Sequence, residues 1–138
     1  MRKPFFLWDE KMSVGVKLLD DEHKVLIQLI NELHDGIEDG HGTEKLGSIL
    51  AKLFDYVKTH LSHEEEILVQ NSYPELEDHL ETHRSFIGRC NEIQQRYEKG
   101  RFEALSTDTM NFLKDWLYSH ILGTDKRYQR HLNNAGVF

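Results

Sequence analysis

The feature that most restricts how this chain can fold is a series of polar residues set at helical spacing inside apolar stripes. It is densest between His60 and His83, HLSHEEEILVQNSYPELEDHLETH. His60 and Glu64 lie four residues apart, as do His79 and His83, and the break Asn71-Ser72-Tyr73-Pro74 separates the two pairs. On an α-helix, residues four apart are about 40° apart around the axis and about 6 Å along it, so each pair aims its two heads at one point. Two such pairs facing one another define a metal site, provided the helices that carry them pack together.

The rest of the chain supplies those helices. From Asp20, read as an N-cap, apolar residues recur at Leu26, Ile27, Ile30, Leu33 and Ile37, and His23 falls on the same face. A second stripe runs from Leu46 through Ile49, Leu50, Leu53, Val57, Leu61, Ile67 and Leu68, with His60 and Glu64 inside it. Pro74 suits the first turn of a third helix, whose stripe of Leu76, Leu80, Phe86, Ile87, Ile93 and Tyr97 also contains His79, His83 and Cys90. Phe112, Leu113, Trp116, Leu117, Ile121 and Tyr128 mark a fourth, with His120 and Asp125 embedded in it. The expected helices are 20–38, 43–70, 74–99 and 106–132. Residues 1–19, with Phe5, Phe6, Leu7 and Trp8 but no sustained period, read as a non-helical arm that packs aromatic side chains on the body. The expected architecture is therefore all-α: an up-and-down four-helix bundle with an N-terminal arm, in one domain spanning 1–138.

Seven inward polar residues then come from all four helices: His23, His60, Glu64, His79, His83, His120 and Asp125. Such groups are costly in a core unless they are paired or bind metal. One four-coordinate ion would use barely half of them, whereas two six-coordinate ions sharing two bridging carboxylates would use all. Imidazole and carboxylate ligation without thiolate suits iron or manganese better than structural zinc. On a regular helix the five-residue step places Asp125 about 140° from His120, so a π-type widening at Leu122 and Gly123 is expected.

Other classes fit poorly. With 17 basic residues scattered among 24 acidic ones and a formal charge of −7, the chain has no basic face for nucleic acid. No run is apolar enough to span a bilayer, and the N-terminus lacks the apolar run and cleavage site of a signal peptide, so a cytoplasmic location is expected. The lone Cys90 excludes an internal disulfide and reads as a small buried hydrophobe. The run from His63 to Ile67 begins like a zinc-protease HExxH but ends in isoleucine. Among the other histidines, His63 is expected to face solvent, His34 to be structural, and His41 and His131 to be exposed; acceptors for the ligand imidazoles are not identifiable at this level.

The ordered set DDEH (20–23), HLSHEE (60–65), HLETH (79–83) and WLYSHILGTDKRY (116–128) resembles the haemerythrins, above all their single-domain bacterial form, along essentially the whole chain. The resemblance implies two irons per chain with an oxo or hydroxo bridge. His79, His83 and His120 would hold one iron, His23 and His60 the other, and Glu64 and Asp125 would bridge. The two-histidine iron would keep one position open for dioxygen. Trp116 and Leu117 match positions that wall the oxygen pocket, and Leu26, Ile27, Leu61 and Ile121 are candidates to complete it. The implied function is reversible dioxygen binding for storage or for delivery to an oxygen-consuming enzyme, by a monomer that is not itself an enzyme. Oxygen sensing through a partner, di-iron oxidase, peroxidase or nitric oxide chemistry, and iron handling are the alternatives.

Overall fold

The computed structural model describes residues 5–39, 42–101 and 105–138, without the side chains of 42–46 and 106. His41 and Leu46 thus lie outside what can be described. Four helical rods follow one another: α1 (Lys17–Glu38), α2 (Gly42–Gln70), α3 (Leu76–Glu98), and a last rod that begins as α4 (Leu105–Trp116). That rod continues through a π-helical segment (Leu117–Thr124) and a 3-10 turn (Asp125–Tyr128) into α5 (Gln129–Asn134). Backbone angles stay in the right-handed helical region at each junction, so the rod is continuous. Short connections make successive rods antiparallel neighbours, the expected up-and-down bundle. No helix among the described residues is long and apolar enough to cross a membrane.

Two boundaries differ from those read from sequence. Helix α1 starts at Lys17, not at Asp20, and its N-cap, Val16, makes no side-chain bond. The Asp20 carboxylate instead ties down the preceding loop, accepting from the Ser13 hydroxyl at 2.6 Å and the Val14 N–H at 2.8 Å. Helix α3 starts two residues after Pro74, because Pro74 occupies a turn in which the Leu76 N–H donates to the Tyr73 carbonyl. The fourth rod is not one regular α-helix, for the reason given with the site below.

The apolar interior divides in two. A large cluster containing Leu26, Ile30, Leu33, Leu53, Leu61, Phe86, Leu113 and Ile121 fills most of the bundle. A smaller one, containing Val14, Leu19, Leu68, Tyr73, Tyr128 and Leu132, plugs one end. The polar residues of all four rods lie between them in sequence: His23 between Leu19 and Leu26, Glu64 between Leu61 and Leu68, His79 and His83 between Tyr73 and Phe86, Asp125 between Ile121 and Tyr128.

The arm packs as expected, although it includes one 3-10 turn, Glu10–Met12, capped by Asp9. Phe6 is buried against the main core, and its backbone is held on both sides by Asn31, which accepts from the Phe6 N–H and donates to the Phe6 carbonyl, both at 2.8 Å. Gly15, at φ +74°, is required where the arm turns into α1: a Cβ there would meet the Gln129 and Asn133 side chains at 2.8–2.9 Å. Replacing Asn31 by Ala removes both bonds and leaves the Phe6 backbone groups without protein partners. The expected loss is about 1–3 kcal/mol in urea unfolding, and a midpoint equal to that of the wild type would show that the arm contributes nothing to stability.

Candidate metal centre

All seven residues picked out by their spacing converge in the layer between the two apolar clusters, and each is at most 3% exposed. Their donor atoms form two groups within 4.8 Å: Glu64, His79, His83, His120 and Asp125 in one, His23, His60, Glu64 and Asp125 in the other. The two carboxylates belong to both groups, and their oxygens divide between them. Glu64 Oε1 lies 2.5 Å from His79 Nε2, 2.9 Å from His83 Nε2 and 3.7 Å from His120 Nε2. Its Oε2 faces the other way, 3.6 Å from His60 Nε2 and 3.9 Å from His23 Nε2. Asp125 repeats the division, with Oδ1 2.8 Å from His120 and 3.4 Å from His79, and Oδ2 3.3 Å from His23.

The π-helical segment makes this possible. The Asp125 N–H donates to the carbonyl of His120, five residues back, so both side chains reach the same face. The widening runs from Leu117 to Thr124 and so includes Leu122 and Gly123, where sequence spacing demanded it. The tight 3-10 turn that follows brings in Tyr128, whose hydroxyl donates to Glu64 Oε2 at 3.0 Å.

The carboxylates and imidazoles of the cluster shift one another toward their charged forms. Burial raises the proton affinity of the Glu64 carboxyl, yet the imidazoles of His120, His79 and His83 that face it outweigh this and hold the group well below its usual range. Asp125 is likewise lowered, burial and the nearby Glu64 charge being outweighed by His120 and His23. Burial opposes charge on His120, but Asp125 and Glu64 push it up to about 10. The Nε2 atoms of His23, His60 and His120 and both Asp125 oxygens are buried and, close as His120 stands to Asp125, none makes a hydrogen bond of good geometry among the described residues. Buried acceptors and imidazoles left so, all pointing into one space, fit a site built around metal.

A sequence profile of the Hemerythrin HHE cation binding domain matches residues 14–132. The chain belongs to the haemerythrin family. It is 33% identical over 118 residues to a bacteriohaemerythrin of Methylococcus capsulatus, covering 86% of this chain and 88% of that one. It is 31% identical over 124 residues to a myohaemerythrin of Theromyzon tessulatum, covering 90% and 91%. A crystal structure of wild-type haemerythrin superposes with a TM-score of 0.85 at 31% identity, over 93% of this chain and 98% of that one.

In this haemerythrin fold two of the imidazoles whose acceptors sequence reading left unassigned are backed by carboxylates. His60 Nδ1 is 2.8 Å from Glu22 Oε1, and His83 Nδ1 is 3.1 Å from Glu65 Oε1. Both lie next to residues picked out by their spacing, Glu22 before His23 and Glu65 after Glu64, but neither falls in an apolar stripe that would single it out. His63 is 45% exposed, but its Nδ1 is held at 2.6 Å by the second oxygen of Glu22 and does not merely face solvent. His131 is not exposed as expected: it is partly buried, with Nε2 2.6 Å from the Asn71 carbonyl, which joins the chain's last helix to the α2–α3 turn. His34 packs against Phe5, ring centroids 4.5 Å apart, in a structural role.

The residues expected to wall an oxygen pocket are placed around this layer. Trp116 stacks on His120 at 4.7 Å and on Phe86 at 4.1 Å, while Leu26, Ile27, Leu61, Leu117 and Ile121 are all buried in the main core. Cys90 is 2% exposed, and burial pushes its thiol up to about 12, so the nucleophilic thiolate is scarce at neutral pH. Ellman's reagent at pH 8 should leave the native protein unlabelled and find one thiol per chain after denaturation; rapid native labelling would contradict this burial.

Proposed function

We propose that the chain binds dioxygen reversibly at a di-iron centre, with His79, His83 and His120 as the histidines of one iron, His23 and His60 as those of the other, and Glu64 and Asp125 bridging. One observation carries the reading: each carboxylate turns one oxygen to a group of three imidazoles and the other oxygen to a group of two. The unequal count leaves the two-histidine side one protein ligand short, and an open coordination position is what separates a binding site from a closed structural one. A pair of ferrous ions held there would supply the electrons for reversible dioxygen binding.

The chain's own residues do the rest. Glu64 and Asp125 neutralise positive charge and span the two positions, and the Tyr128 hydroxyl fixes the orientation of Glu64. Leu117, Leu26, Ile27, Leu61 and Ile121 are buried and the partly buried Trp116 covers His120, which together keep the layer dry and disfavour solvent attack and loss of the bound gas. A single haemerythrin domain, a monomeric state, a cytoplasmic location and delivery of dioxygen to an oxygen-consuming enzyme belong to the same proposal. The family profile, which takes in nearly the whole chain, and the one buried thiol support it.

Purified protein is expected to hold two irons per chain. After anaerobic reduction it should develop a visible charge-transfer band on exposure to dioxygen and lose it on deoxygenation, over repeated cycles; steady oxygen consumption would refute the carrier role. Chelation of the iron should lower unfolding free energy by at least about 2.7 kcal/mol, the linkage expected for a ligand present at 100 times its dissociation constant. His120→Ala should lose iron and the oxygen-dependent band, and a variant with wild-type iron content would contradict its assignment.

A further inference from the structure

Glu22 directly precedes His23 on α1, yet its side chain serves α2. The residue is only 9% exposed, and both carboxylate oxygens are engaged: Oε1 with His60 Nδ1 at 2.8 Å, Oε2 with His63 Nδ1 at 2.6 Å. The Tyr56 hydroxyl donates to the Glu22 carbonyl at 3.2 Å, so α2 holds this residue by its backbone as well as by its head. His60 and His63 are three residues apart on α2, near enough around the helix for one carboxylate to span them.

We propose that Glu22 is the positioning residue of the two-histidine side of the centre, and that His63, which lies outside the ligand set, governs metal retention there by fixing the Glu22 carboxylate. The inference rests on the two-iron reading above. An imidazole that donates from Nδ1 presents its Nε2 lone pair, and the cross-helix bond stops the ring from turning Nε2 away from Glu64 and Asp125. A carboxylate bonded through one oxygen still rotates about its terminal bond. With His63 on the second oxygen, that plane is set.

The clamp matters because this side of the centre has little other support. Nδ1 of His23 is buried with no hydrogen-bond partner among the described residues, so His60 is the imidazole of the pair that has a carboxylate behind it. On the three-histidine side, Glu65 supports His83 independently. Loss of the Glu22 clamp should therefore affect the two positions unequally. Loss of an ordinary packing residue should weaken both.

Anaerobic titration of metal-free protein with Fe(II) against a competing chelator separates the two equivalents. Glu22→Ala should leave the first equivalent near wild type and weaken the second by about 10- to 100-fold. Glu22→Gln keeps an oxygen for His60 and turns its amide toward His63, which is free to present a lone pair, so most of the affinity should return. His63→Ala, at a half-exposed position that tolerates truncation, should weaken the second equivalent by about 3- to 10-fold, with the unfolding curve of the metal-free chain unchanged. His63→Asn, which restores an N–H donor, should recover it. Equal weakening of both equivalents in Glu22→Ala, no rescue by Glu22→Gln, or a wild-type second equivalent in His63→Ala would overturn the clamp. Wild-type protein that binds only one iron would overturn the two-iron reading itself, and the role of the clamp with it.

Discussion

Everything in this bundle depends on the meeting of two carboxylates and five imidazoles in a layer from which water is excluded. Taking such groups from water costs several kcal/mol for each ion unless opposite charge and hydrogen bonds replace the solvent. Here the replacement is reciprocal: Glu64 touches His79 and His83 on one side and faces His60 and His23 on the other, and Asp125 repeats the pattern from the last rod. No single rod satisfies the whole set: Glu64 of α2 needs the imidazoles of α1, α3 and the last rod, and Asp125 needs those of α1 and α3. The four rods must all be in register before the layer is complete, which couples the formation of the site to the formation of the fold.

Regular secondary structure yields where the layer requires it. An α-helix cannot present residues five apart on one face, so the last rod widens into a π-helix between Leu117 and Thr124 and then tightens into a 3-10 turn. The widening brings Asp125 round to His120, and the tightening returns Tyr128 to the core, where its hydroxyl holds Glu64. Flanking apolar clusters confine the irregular stretch from both ends, so Leu117 and Ile121 remain buried despite the changed pitch.

Support for the ligands is distributed in the same cross-helix manner. Glu22 of α1 holds His60 of α2, Glu65 of α2 holds His83 of α3, and Tyr128 of the last rod holds Glu64 of α2. Glu22 and Glu65 sit in polar runs that, taken by themselves, resemble an ordinary solvated helix face, whereas Tyr128 belongs to the apolar stripe of its rod. The donors fall into two groups of unequal size, and the proposal of one open side rests on that inequality.

Periodicity alone determined the four helices and the seven inward polar residues, because the apolar stripe at 3.6-residue spacing and the four-residue pairs are local properties of the chain. The five-residue step from His120 to Asp125 even announced the π-helical distortion. Only the tertiary structure decided where helices begin, how far the distortion extends and which charges support the ligands. Asp20 looked like an N-cap until the Ser13 and Val14 loop was seen to occupy its carboxylate, and Pro74 proved to shape a turn ahead of α3. Glu22 and Glu65 share the solvent-facing composition of their neighbours, and His131 lies in the chain's last short helix. Their roles depend on groups that α2, α3 and the α2–α3 turn bring to them from 18 to 60 residues away. A hydrogen bond between such distant residues leaves no period in the sequence, so it becomes visible only once the helices have packed.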